Sequence, residues 1–206
     1  MASVDSSVNA SASHEGTQWV NEVPDSEVYT EAAGWDYVQL TALGAETTIG
    51  GIPSVGLIGA ANAGTKGIQA LTGNEAIDAN HLFGSAYVAK GDADHCYISM
   101  RVTNASFAPQ GGVQYFNLVT GAEGSFVATG AGAHVDSGIE EVDGGYYIWA
   151  IVTAGGNDDR GGSFVVSGSD VDGLGTLTGD ASSINIYIGG LSFIDAPTGD
   201  VGYIPT

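Results

Sequence analysis

The sequence predicts an all-β protein, a sandwich or barrel of antiparallel strands, preceded by an extended acidic arm. Three observations predict it. Short runs alternate apolar and polar residues at a period of two, the period of a strand. Gly, Asp and Asn punctuate these runs at short spacing, and the 33 glycines carry no triplet period of the collagen kind. No segment sustains helical periodicity over about twelve residues; "GNEAIDANHL" allows a turn or two of helix at most.

The elements follow in order. Residues 1–34 are acidic, Ser-rich and weakly periodic, which reads as an extended arm. Trp19 and Tyr29 interrupt it, and such aromatics in a tail point to a docking segment, on its own domain or on a neighbouring subunit. Residues 35–206 form the domain. "WDYVQLTA" alternates as one strand, and "KGIQALTG" follows after a Gly-rich passage. "HLFGSAYVAKG" sets Leu82, Ala86 and Val88 against Phe83, Ser85 and Tyr87. "HCYISMRVTN" is the clearest case, with Cys96, Ile98, Met100 and Val102 in an apolar row and Tyr97, Ser99 and Arg101 in a polar one. "VQYFNLVTG" and "GSFVATG" continue the pattern. "GGYYIWAIVTAGG" is apolar on both faces, as a central strand is. "GGSFVVSGS" and "SINIYIGGLSFI" complete a set of about ten strands, the last closing the sheet.

Charge narrows the function classes. Lys66, Lys90, Arg101 and Arg160 stand against 24 acids, a net charge of −20. That field repels phosphate backbones and anionic lipid, so neither nucleic acid nor membrane is an expected partner. The acidity reads as a solubility device, suited to salty water where screening removes self-repulsion. The one cysteine, Cys96, rules out a disulfide within the chain and a thiolate zinc site, and reads as a small buried apolar residue. The start shows no signal-peptide pattern, and no apolar run approaches the ~20 residues of a membrane helix.

Motifs for catalysis are sparse. No G-x-S-x-G elbow occurs, and "GLGTLTG" reads as a Gly-rich hairpin rather than a dinucleotide loop. The acid pairs Glu140–Glu141 and Asp158–Asp159 point to opposite faces if they lie on strands, so neither converges on a substrate. Asp92, Asp94 and His95 sit close together but read as a polar hairpin turn. Asp170, Asp172 and Asp180 in "GSDVDGLGTLTGD" are the candidate ligands for a structural calcium, although the loop lacks the Glu and the third Asp of an EF-hand. Tyr147, Trp149 and Tyr187 share parity within their strands and are the candidate platform for stacking sugar rings.

Five short motifs then occur in order: Tyr87–Gly91 ("YVAKG"), Phe116–Gly121 ("FNLVTG"), Gly144–Tyr147 ("GGYY"), Thr178–Asp180 ("TGD") and Tyr203–Thr206 ("YIPT"). In that order the chain, over about residues 80–206, resembles the jelly-roll, carbohydrate-binding-module-like domains common in structural proteins of tailed phages. Two departures stand out. The Trp-Tyr-Arg of the pattern becomes Tyr146-Tyr147-Ile148, and the final strand reads "IGGLSF" without the usual Trp and Glu. The resemblance implies a jelly-roll sandwich and a non-enzymatic virion component, made in the host cytoplasm. The first expectation is a capsid decoration or cement protein on the outer surface of a tailed phage or tailed archaeal virus. Its expected partners are the major capsid protein and copies of itself in a homotrimer. A tail or fibre adhesin for host surface glycan is the alternative, and a polysaccharide depolymerase the third.

Overall fold

The computed structural model describes residues 11–14, 17–20, 35–71, 81–103, 108–154 and 162–196; for the first two segments and residues 195–196 only the backbone is described. Every regular element among these is a strand. The chain opens with β1 (Ser11–His14), β2 (Thr17–Val20), β3 (Trp35–Val38), β4 (Leu40–Ile49), β5 (Ile52–Gly59) and the short β6 (Ala63–Gly64). It continues through β7 (Lys66–Leu71), β8 (His81–Lys90), β9 (His95–Thr103), β10 (Pro109–Asn117) and β11 (Ala122–Thr129). It finishes with β12 (Ala133–Val142), β13 (Gly145–Thr153), β14 (Gly162–Ser169), the short β15 (Leu177–Thr178) and β16 (Ile184–Ala196).

Two six-stranded antiparallel sheets build a jelly-roll sandwich. The first runs β11-β10-β9-β14-β7-β3 and the second β12-β13-β8-β16-β5-β4. The alternation read in the sequence supplies the core. Cys96, Ile98, Met100 and Val102 of β9 face inward and meet Leu82, Ala86 and Val88 of β8 and Ile148, Ala150 and Val152 of β13. Phe164 on β14 and Phe193 on β16 stack across the two layers, with ring centroids 5.5 Å apart. Both rings are fully buried, and burying each contributes about 1.5–3 kcal/mol. Cys96 is buried with them, and its thiol pKa is pushed up by loss of solvent.

Three details depart from the linear reading. The strand expected at "WDYVQLTA" is two strands in different sheets. Gln39 takes φ of 50°, and the chain leaves β3 in the first sheet to begin β4 in the second. The Gly-rich passage after it is itself structured as β4, β5 and β6. Its glycines admit a neighbour: a Cβ on Gly56 would lie 2.8 Å from the side chain of Ile184. The last strand, β16, lies inside the second sheet, paired with β5 and, through a register shift between Gly189 and Ser192, with β8. Most of "GNEAIDANHL", along with Tyr29 and Tyr203–Thr206, lies outside the described residues. Within residues 1–34 the described strands β1 and β2 form a hairpin, and β2 runs beside β16.

Candidate functional site

The inward row of β9 leaves Tyr97, Ser99 and Arg101 pointing out of the first sheet. Register aligns this polar row with its neighbours. Val165 lies opposite both Gln69 and Ser99, Ser99 opposite Val113, and Val113 opposite Val127, giving a transverse row of five residues across five strands. On one side stand Tyr97 and Tyr115, directly opposite each other, with ring centroids 5.3 Å apart and a tilt of 47°. On the other side stand Arg101 and, opposite it, Ser163. The result is a groove of about 460 Å³, which Val38 and Thr65 also line. That volume falls within the range of small-ligand sites.

The loop after β14 overhangs the tyrosine end of this groove through Gly173, Leu174 and Gly175. Gly175 has φ of 62°, and a Cβ there would lie 2.9 Å from the Tyr115 hydroxyl, so both backbone shape and space call for glycine. The Tyr97 hydroxyl donates to Thr65 Oγ1 at 3.2 Å. Burial, and then the neighbouring Tyr97, push the Tyr115 phenol up to about 12. It therefore remains a neutral hydroxyl at ordinary pH.

Of the acids singled out as calcium ligands, Asp170 and Asp172 fasten this same loop and Asp180 fastens the turn after β15. Asp172 Oδ1 accepts from the Ser125 backbone N–H at 2.8 Å, and its Oδ2 accepts from the Ser125 hydroxyl at 2.6 Å, tying the loop to β11. Asp170 accepts from the Thr178 N–H at 2.8 Å. Asp180 accepts from the N–H groups of Ser182 and Ser183 and from the Ser183 hydroxyl. These bonds hold the Asp180 carboxyl well below the usual carboxylate range. Burial raises the Asp172 carboxyl, but the two bonds from Ser125 outweigh it and its pKa is also lowered. Asp170, Asp172 and Asp180 do not converge, and no three metal-ligating side chains do so among the described residues. Of the polar turn, Asp94 pairs with Lys90 at 2.7 Å, and His95 Nε2 lies 3.2 Å from the Asn117 amide nitrogen.

The register of β13, β8 and β16 puts Tyr147, Trp149 and Tyr187 on one outward face, that of the second sheet. Tyr147 is buried there against Tyr87, its register partner, with centroids 5.1 Å apart. The Trp149 indole lies over Gly138, where a Cβ would come within 2.6 Å of its Nε1. Tyr187 is half-buried one strand beyond β8. Farther along the same face Ile151, Phe83 and Ile194 form a row that is buried although it faces away from the core. Trp19 lies on β2, opposite Ala12. Glu140 and Glu141 sit exposed on β12, opposite Tyr147 and Tyr146.

A Ser–His–acid set does occur at the sandwich edge. The Ser137 hydroxyl donates to Glu123 and lies 3.0 Å from His134 Nε2. Serine is the middle member, so the acid does not orient the histidine as a nucleophile-activating triad requires. The three side chains brace β11 against β12, the adjacent edges of the two sheets.

Fold and site together define a two-layered β-sandwich with a lined groove on the outer face of the first sheet. No protein-family model matches the chain, and no curated protein does. Among solved structures the chain is similar to a carbohydrate-binding module studied for specific mannan recognition, TmCBM27. The TM-score is 0.42 at 10% identity, over 86% of this chain and 97% of that one. That overlap is too loose to transfer a ligand from one chain to the other.

Proposed function

We propose that this protein is a non-catalytic glycan-binding sandwich carried on the surface of a virion, and that the groove of the first sheet is its sugar site. The groove is the observation that carries the reading. Its floor and wall are apolar (Val165, Val113 and the edges of Tyr97 and Tyr115), and its polar groups are Gln69, Ser99, Ser163 and Arg101. A pyranose offers C–H faces to the first set and hydroxyls to the second, and such mixed lining is the usual chemistry of a small-ligand pocket. The virion setting is supported by the ordered motifs of residues 80–206, with a tail or fibre adhesin as the role that a sugar site suits.

The test is direct binding to a panel of neutral and acidic oligosaccharides by calorimetry. The double variant Gln69→Ala with Ser163→Ala removes two hydrogen-bonding groups from the groove's polar lining. It is expected to lose about tenfold in affinity for whatever glycan binds, while staying folded. A panel with no binder at all overturns the reading.

A second reading, the capsid decoration protein with the major capsid protein and two further copies of itself as partners, draws on the hairpin of β1 and β2 beside β16. In that case the chain binds emptied, expanded capsids stoichiometrically, and a chain lacking residues 1–34 does not.

A further inference from the structure

We infer that the groove selects sugars bearing a carboxylate, and that Arg101 reads that group; the inference rests on the groove being a sugar site. The chain has four basic residues against 24 acids. Their placement is uneven. Lys66 is fully buried, its Nζ donating to Asn62 Oδ1 at 2.6 Å and to Gln39 Oε1 at 3.0 Å. Lys90 is paired with Asp94. Arg160 lies outside the described residues. Arg101 is exposed on the groove, and among the described residues no carboxylate pairs with it.

In a chain so rich in acids, an arginine at an indifferent surface position readily finds a carboxylate. Among the described residues the register keeps this one apart. Its neighbours across the sheet are Ser163 on β14 and Gly111 on β10, which bring no charge and little bulk beside the guanidinium. Asp172, the acid of the overhanging loop, has both carboxylate oxygens engaged by Ser125.

A guanidinium offers a planar fork of donors that a carboxylate meets with two parallel bonds, each stronger than a bond to a sugar hydroxyl. From Tyr97 to Arg101 is four residues along a strand, about 13 Å at the usual rise. That exceeds one sugar ring, so the ligand is an oligosaccharide with its uronate at the Arg101 end and a neutral or second acidic residue against the tyrosines.

The test titrates the full chain with oligomers of galacturonate, glucuronate and mannuronate, and with the same oligomers after their carboxyls are reduced to alcohols. Salt is held near 0.15 M, where the Debye length is about 8 Å and long-range repulsion from the acidic surface is screened. The wild-type chain is expected to bind at least one uronate oligomer about tenfold or more tighter than its reduced form. Arg101→Gln is expected to bind both forms alike, and Arg101→Lys to keep part of the preference. Equal wild-type binding of both forms, or a preference that survives Arg101→Gln, overturns the inference. If neutral glycans bind and the Gln69→Ala, Ser163→Ala variant loses them while no uronate preference exists, only the inference falls. If no oligosaccharide of either kind binds, the sugar-site reading falls with it.

Discussion

The two sheets carry nearly the same device on their outer faces. Tyr97 and Tyr115 sit opposite each other on the first sheet, 5.3 Å apart and tilted by 47°. Tyr87 and Tyr147 sit opposite each other on the second, 5.1 Å apart and tilted by 45°. Their surroundings differ. The Tyr87 ring is closed in by the β4–β5 turn and by the irregular stretch of β16: a Cβ on Gly50 or on Gly190 would lie 2.9 or 2.8 Å from it. The first pair borders a groove in which Ser99, Ser163, Gln69 and Arg101 supply polar groups. A cross-strand tyrosine pair is therefore a packing unit on one face and a wall of an open groove on the other. The neighbouring rows decide which.

The largest expected effect removes what both faces share. Phe193→Ala opens a cavity opposite Phe164 in the centre of the sandwich and is expected to cost about 3–5 kcal/mol, read as a lower urea midpoint with an unchanged slope. A loss below about 1 kcal/mol would mean that the two layers do not depend on this stack.

Next, Tyr147→Ala separates the faces. Truncating a buried aromatic in the closed pair is expected to cost about 2–4 kcal/mol of stability and to leave glycan affinity unchanged at temperatures where the protein is folded. A tenfold loss of affinity instead would move the sugar site to the second sheet.

The smallest effect is set by pH. Asp172, which ties the loop to Ser125, has a lowered pKa, so its stabilising bonds are complete above the ordinary Asp value of about 3.9 and are lost as pH falls through the lowered value. Acid is expected to loosen the loop over the groove before it unfolds the sheets. Glycan affinity, measured from about pH 5 down to about pH 2, should then fall ahead of the far-UV signal, with a smaller fall for Asp172→Asn. Coincident loss of both signals would show that the loop has no separate role.

Much of the fold was legible because a strand's side-chain period is short and local. The alternation in "HCYISMRV" placed Cys96, Ile98, Met100 and Val102 inside, and the double apolar pattern of "GGYYIWAIVT" marked β13 as a central strand. The switch of sheets at Gln39 was not legible, since one residue with positive φ leaves no mark on the apolar–polar rhythm. The site was half legible. Tyr97, Ser99 and Arg101 were visible as a polar row, but their partners come from positions 69, 113, 127, 163 and 165, and only strand order joins them. Tyr147, Trp149 and Tyr187 stand out in the sequence because aromatic parity is all that a linear reading can count.

By itself the sequence determined that this is an antiparallel β protein with an acidic surface, and which side chains alternate inward, because those properties depend on neighbours within a strand. Tertiary structure alone decided that the first sheet's outer face holds this groove, that Asp170, Asp172 and Asp180 fasten loops and turns, and that no carboxylate among the described residues pairs with Arg101 at the groove's edge. Those outcomes depend on pairing between strands far apart in the chain, and local periodicity carries no information about which strand lies beside which.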